Sequence, residues 1–146
     1  MKNKLDLIFQ SATECREKGY ECKTSKKNVS IIYKPDAGIK DKQILKKLFR
    51  GINPKLCDCA LLYNKEMLAF IEIKCGRVTN SLLKDTIEKL ENSYKVVNVH
   101  DIEPSKYILL YKQFENTLMK KKIATLKIYG IPLIAKKYEN KAIDII

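Results

Sequence analysis

Apolar residues recur along this chain in two alternating rhythms, one of helices and one of strands. Asn3 can cap a first helix, in which Leu5, Ile8, Phe9, Ala12 and Cys15 return at helical spacing until Gly19 stops it. Two short strand-like pieces follow, Tyr20 to Thr24 and Val29 to Tyr33, joined by a polar Ser25-Lys26-Lys27 turn, and Pro35 and Gly38 then break the pattern. Asp41 is placed to cap a second helix with Ile44, Leu45, Leu48 and Phe49 on its apolar stripe, ended by Gly51 and Pro54. The centre predicts a β-hairpin of Leu56 to Leu62 and Leu68 to Lys74, with Tyr63-Asn64-Lys65-Glu66-Met67 as the connection. A third helix is expected from about Ser81 to Tyr94, a buried strand over Tyr107 to Tyr111, and a fourth helix from about Glu115 to Tyr129. Ile131 to Lys136 completes the series as a last strand. Strands of both senses with helices between them indicate one α/β domain over residues 1–146, a sandwich around a mixed sheet.

The central hairpin also carries chemistry. Side chains alternate across a strand, so Glu72 and Lys74 share a face while Ile71 and Ile73 take the other. A five-residue connection pairs Leu62 with Leu68 and sets Asp58 opposite Glu72, with Cβ atoms about 5 Å apart. Two carboxylates and an ammonium then converge on one patch. Paired acids deep in a sheet repel each other unless a cation compensates, and a hard divalent ion such as Mg²⁺ or Mn²⁺ suits oxygen ligands. Lys74 would sit beside the attacking water or the scissile phosphate, where it can help remove a proton or stabilise developing charge. The sum is metal-assisted hydrolysis of a phosphodiester.

A Glu-x-Lys triplet by itself says little here. Ten glutamates and 26 lysines in 146 residues give roughly two such triplets by chance, and Glu21-Cys22-Lys23 is a second example. The setting distinguishes Glu72-Ile73-Lys74: it ends a strongly apolar strand, follows an acid on the preceding strand, and is followed by a helix. The competing structural reading is a cross-strand salt bridge, which on a surface is worth little. The apolar flanks of both strands favour a covered site instead.

The remaining composition narrows the partners. The formal net charge is +12, and a phosphate polymer is the partner such a charge most readily attracts. Lysine-rich proteomes raise the charge of all their proteins, so this supports nucleic-acid binding without establishing it. The longest apolar runs span only a few residues, as in Ile131 to Ala135, against the roughly 20 that a transmembrane helix needs. Residues 1–6 lack the layout of a secretory signal, and a cytoplasmic location is expected. Five cysteines, at 15, 22, 57, 59 and 75, form no zinc-ligand spacing and are expected as buried small hydrophobes, a disulfide being the alternative in a hyperthermophile.

The segments Leu56-Cys57-Asp58-Cys59-Ala60-Leu61-Leu62 and Phe70-Ile71-Glu72-Ile73-Lys74-Cys75 together resemble the core of the PD-(D/E)XK nuclease superfamily, which pairs an Asp on one strand with Glu-x-Lys on the next. The resemblance implies a restriction-endonuclease-like three-layer sandwich, with a central mixed β-sheet flanked by helices. It implies Asp58 and Glu72 as metal ligands with the backbone carbonyl of Ile73, Lys74 as catalytic, and a first-helix acid completing the site, for which Glu14 is the leading candidate ahead of Glu17 and Asp6. Cys57 stands where the family's proline usually precedes the acid, and the literal Pro35-Asp36 pair precedes a helix, placed far from Glu72. Gly130-Ile131-Pro132-Leu133-Ile134-Ala135-Lys136 also resembles a late strand of archaeal Holliday-junction resolvases in that superfamily. DNA, including branched forms, is thereby the expected substrate ahead of RNA, and a homodimer the assembly that the likeness suggests. Arg77, Lys84, Lys120 and Lys121 are the expected backbone contacts, although an exposed helix face explains Lys120-Lys121-Lys122 as well. The alternatives are a nucleic-acid-binding protein that keeps the fold without turnover, and an assembly subunit with no nucleic-acid role.

Overall fold

The structure, a computed structural model, describes residues 1–17, 19–23, 28–138 and 142–144. Its centre is the expected hairpin, β5 (Cys59–Tyr63) and β6 (Met67–Val78). Leu62 pairs with Leu68 and Cys59 with Ile71, so the register sets Asp58, just before β5, against Glu72. Residues 64 and 65 take positive φ to make the connection. Outward on one side lie β4 (Val29–Ile39) and β1 (Phe9–Ala12), both antiparallel to their neighbours. On the other side β7 (Lys106–Phe114) and β9 (Ile131–Lys137) run parallel to β6, and β8 (Lys127–Ile128) closes the edge antiparallel to β9. The result is a seven-stranded mixed sheet in the order β1-β4-β5-β6-β7-β9-β8.

Among the described residues four helices accompany it: α1 (Lys2–Ile8), α2 (Lys42–Phe49), α3 (Asn80–Asn98) and α4 (Thr117–Ala124). Asp41 caps α2 as its position suggests, its Oδ1 accepting from the N–H groups of Gln43 and Ile44. Thr79 and Asn116 do the same for α3 and α4. All four helices bury their apolar stripes in one core, against Leu68, Phe70, Tyr107 and Leu109. The helical links β6-α3-β7 and β7-α4-β9 step the same way across the sheet, and right-handed crossovers of that kind put their helices on a single face. The opposite face carries a second core of Leu61, Ala69, Ile71, Ile73, Ile108 and Leu110. Cys15 of β2 (Cys15–Glu17) and Tyr20 of β3 (Tyr20–Lys23), strands that form a small sheet with β10 (Ala142–Asp144), pack on it. Among the described residues the sheet is therefore flanked by helices on one face and by part of a small sheet on the other, an α/β arrangement compatible with a three-layer sandwich.

Local departures from the sequence pattern have identifiable causes. The first helix stops at Ile8, and Met1, not Asn3, occupies its N-cap. Residues 9–12 pair with β4, and residues 15–17 pair with β3, so sheet hydrogen bonds displace the helix that their spacing also fits. Pro35 and Gly38 do not end β4. Phe9 pairs with Ile39 and Gln10 with Lys34, so residues 35–38 form a bulge within one long strand, Gly38 taking φ +110°. The fourth helix ends at Ala124, because Tyr129 and Gly130 both adopt positive φ and fold β8 back on β9 as a two-residue hairpin. The expected Ser25-Lys26-Lys27 turn lies outside the described residues. No helix among the described residues is long and apolar enough to cross a membrane.

Candidate metal centre

Both central acids are withdrawn from water: Asp58 is 7% exposed and Glu72 fully buried. The backbone N–H of Asp58 donates to Glu72 Oε1 at 3.2 Å, and that of Ile73 donates to Asp58 Oδ2 at 2.7 Å. Helix α3 fixes the approach to Asp58. Ser93 Oγ accepts from the Cys57 N–H at 3.1 Å while donating to the Lys89 carbonyl, and Asn92 donates to the Lys55 carbonyl. The segment that delivers Asp58 is thereby tied to the helix that delivers Lys89.

Glu72 gathers cations. Its Oε2 lies 3.2 Å from Lys74 Nζ and 3.0 Å from Lys89 Nζ. Asp85, one turn before Lys89 on α3, approaches the same two ammoniums at 3.5 and 3.4 Å and takes a third ion pair from Lys55 at 3.2 Å. Burial works against charge on Lys89, but Glu72 and Asp85 outweigh it and hold the ammonium protonated well above its usual range. Burial likewise opposes ionisation of Asp85, and Lys55, Lys89 and Lys74 outweigh it, leaving its carboxyl below the usual range.

Next to this network lies a second group of acids. Carboxylate oxygens of Glu17, Asp36 and Asp58 all fall within 4.8 Å of one another. They line a cleft of about 510 Å³ together with Ile73, Lys74, Gly76 and Lys89. Its β6 lining, Ile73 to Gly76, belongs to the carboxyl-terminal half of that strand, the half nearer the end at which α/β sheets commonly bind ligands. Asp58 feels burial first and the nearby Glu72 charge next; the Ile73 N–H and Lys89 oppose them only in part, and its carboxyl is pushed up to about 8. Burial raises Asp36 as well, with Lys34 opposing and Glu17 adding to the effect. Lys34 reaches Asp36 only at 3.9 Å. Among the described residues no ion pair to Glu17 or Asp58 forms, whereas Glu72 and Asp85 are matched by three lysines. Three hard oxygen donors, two of them with no ion-pair partner among the described residues, fit a divalent cation such as Mg²⁺ or Mn²⁺, whose oxygen ligands lie at about 2.1 Å.

The structure thus redistributes the residues that sequence reasoning selects. Asp58, Glu72, Ile73 and Lys74 do meet, but Glu72 holds the lysines while Glu17 and Asp36 join Asp58. Glu14 is in the β1–β2 turn, not on a helix. It pairs with Arg16 at 3.2 Å and lines a neighbouring groove. Asp6 bonds Lys2 and the Tyr33 hydroxyl. Asp36, set apart by sequence as pre-helical, is carried to Asp58 by the β4 bulge. Sequence reasoning missed Lys89 and Asp85; only the structure shows Thr86 and Ser93, at helical spacing around Lys89, buried, which turns that face of α3 inward. Arg77 and Lys84 are exposed and are not among the residues that line the cleft, although Arg77 directly follows the lining Gly76; Lys120 and Lys121 are exposed on α4, which packs on β7 and β9 away from the cleft lining.

The cysteines need one correction. Cys15 and Cys59 form a disulfide between β2 and β5, with Cα atoms 5.8 Å apart. Cys57 is a buried free thiol, its ionisation opposed chiefly by burial, and the Cys22 side chain lies outside the described residues. Comparison with known protein families, curated proteins and solved structures finds no match to this chain.

Proposed function

We propose that this protein is a metal-dependent nuclease that hydrolyses phosphodiester bonds of DNA, branched forms included. The observation that carries the reading is the meeting of Glu17, Asp36 and Asp58 in one cleft with Lys74 and Lys89. Glu17, Asp36 and Asp58 would hold Mg²⁺ or Mn²⁺. When bound, the ion would lower the pKa of a water and polarise the phosphoryl oxygen. Lys89, kept protonated by Glu72 and Asp85, is suited to stabilise negative charge that develops on the phosphate, and not to accept a proton. Lys74, on the same carboxylate and lining the same cleft, would hold the phosphate from the side of β6. Glu72 positions both ammoniums and, through the Asp58 N–H, the ligand strand. The net charge of +12 supports a polyanionic substrate, and the exposed Arg77 and Lys84 would contact its backbone.

The fold and the cluster are compatible with the PD-(D/E)XK likeness, with Glu72 turned toward lysines instead of serving as a ligand. A protein that binds nucleic acid without cutting it would share the charge but would need no cation. The test is a panel of labelled duplex, single-stranded, flap and four-way-junction DNAs and RNA, incubated with Mg²⁺ or Mn²⁺. Wild type is compared with Glu72→Ala and Lys74→Ala. Metal-dependent cutting lost in both variants supports the nuclease, and the preferred substrate identifies its task. Salt-sensitive binding with no cutting, unchanged in either variant, contradicts it.

A further inference from the structure

We infer that the Cys15–Cys59 disulfide is a positioning device for the metal centre, holding Glu17 against Asp58 so that cation affinity depends on the redox state of this bond. The inference rests on the metal-site reading proposed above. Cys59 directly follows Asp58, and Cys15 precedes Glu17 by two residues on β2. The cross-link therefore joins the two strands at the points from which two of the three carboxylates project.

The two ends are anchored unequally. Asp58 is fixed within the large sheet by its bonds with Ile73 and Glu72. Glu17 belongs to a three-residue strand whose ladder partner is β3, and among the described residues no ladder joins the small sheet to the large one. Described hydrogen bonds from the small sheet to β6 are the Cys75 thiol donating to the Glu17 carbonyl at 3.5 Å and a long one from the Tyr20 hydroxyl of β3 to the Cys75 carbonyl, also 3.5 Å. The cross-link is the one covalent tie across that interface among the described residues. Without it, Glu17 must be ordered by the cation itself, and that ordering subtracts from affinity. Asp36 arrives independently on the β4 bulge, so opening the disulfide leaves a two-carboxylate site.

Reduction by a dithiol is balanced. One thiolate attacks a cystine sulfur and expels the other cysteine as thiolate; the reductant's second thiolate then attacks its own sulfur in the mixed disulfide and expels the remaining cysteine. Two electrons and two protons end on Cys15 and Cys59, and the reductant leaves as its own disulfide. Both sulfurs belong to fully buried residues, so the reagent gains access when the small sheet lifts.

The test measures Mn²⁺ binding by electron paramagnetic resonance, independently of any cleavage. It uses oxidised protein, protein reduced with a dithiol and desalted anaerobically, and the Cys15→Ala/Cys59→Ala variant, with circular dichroism as a check on folding. Glu17→Gln is measured in both redox states. The expected result is binding at least about tenfold weaker without the cross-link, an unchanged dichroism spectrum, and no effect of reduction in Glu17→Gln. Equal affinity of the oxidised and reduced wild type overturns the inference. So does an equal loss on reduction in Glu17→Gln, or unfolding on reduction, because the bond then acts on the fold at large. If oxidised wild type binds no Mn²⁺, the metal-site reading itself fails and takes the inference with it.

Discussion

Asp58 and Glu72 are joined through the backbone: the Asp58 N–H donates to Glu72 Oε1 at 3.2 Å, while Glu72 Oε2 faces the ammoniums of Lys74 and Lys89. One fully buried side chain thus aligns the ligand segment with one oxygen and two cations with the other. Removing it leaves both lysines, largely withdrawn from water, with Asp85 as their one remaining described counter-charge. Glu72→Ala should lower stability by about 3 kcal/mol. Glu72→Gln keeps the acceptor for the Asp58 N–H and should lose roughly half of that. Urea unfolding of the two variants beside wild type checks the order.

The raised carboxyl of Asp58 sets a pH dependence. Folding moves it from 3.8 to about 8, so over that interval the metal-free folded chain retains a proton that the unfolded chain releases. Its contribution is full at low pH and is lost as pH rises through the raised value; Asp36 has the same sign. Asp6 and Asp85, both lowered, lose their contributions only as pH falls below the ordinary carboxylate range. Stability with EDTA should therefore fall between pH 5 and pH 8, at the lower and upper ends of roughly this window. Added Mn²⁺ should raise the melting temperature more at the upper end than at the lower. Thermal melts at both pH values, with chelator or with Mn²⁺, decide it, and a metal effect that shrinks with rising pH would contradict it.

The choice between Asp36 and Glu14 as the third acid is directly testable. Asp36→Asn should weaken Mn²⁺ binding by about 10- to 100-fold. Glu14→Gln removes only an exposed pair with Arg16, worth at most about 1 kcal/mol, and should bind metal as wild type does. Titration calorimetry of the two variants separates them.

The central hairpin was legible because its cues are local. A short polar connection and a period of two fix Leu62 against Leu68, and with it the meeting of Asp58 and Glu72. The Asp41 cap is legible for the same reason. What escaped depends on contacts between distant segments. Leu5, Ile8, Phe9, Ala12 and Cys15 fit a helix equally well, and only the pairing of residues 9–12 with β4 decides against one after Ile8. Pro35 and Gly38 carry the same signal for a turn as for a bulge, so the arrival of Asp36 beside Asp58 had no signature in the chain. Cys15 and Cys59 are 44 residues apart, with no spacing to announce the bond. Lys89 looks like any lysine of an amphipathic helix until Thr86 and Ser93 are seen to be buried on either side of it.

Lys89 separates a role at the phosphate from a merely structural ion pair. Lys89→Ala should cut the rate of cleavage by about 100-fold and leave Mn²⁺ binding close to wild type, since Glu17, Asp36 and Asp58 remain. Lys89→Arg should restore part of the rate by returning the charge. Single-turnover cleavage beside metal titration checks both, and equal losses in rate and metal affinity would assign Lys89 to the metal centre instead.

The most direct single measurement is cleavage of a labelled branched DNA by wild type and Asp58→Asn, each with Mn²⁺, with Ca²⁺ and with EDTA. The proposed site predicts cutting by wild type in Mn²⁺ alone, binding without cutting in Ca²⁺, and no cutting by Asp58→Asn under any condition. Cutting that persists in EDTA or in Asp58→Asn, or DNA binding by wild type that never leads to cutting in Mn²⁺, would contradict a metal-dependent nuclease centred on Asp58.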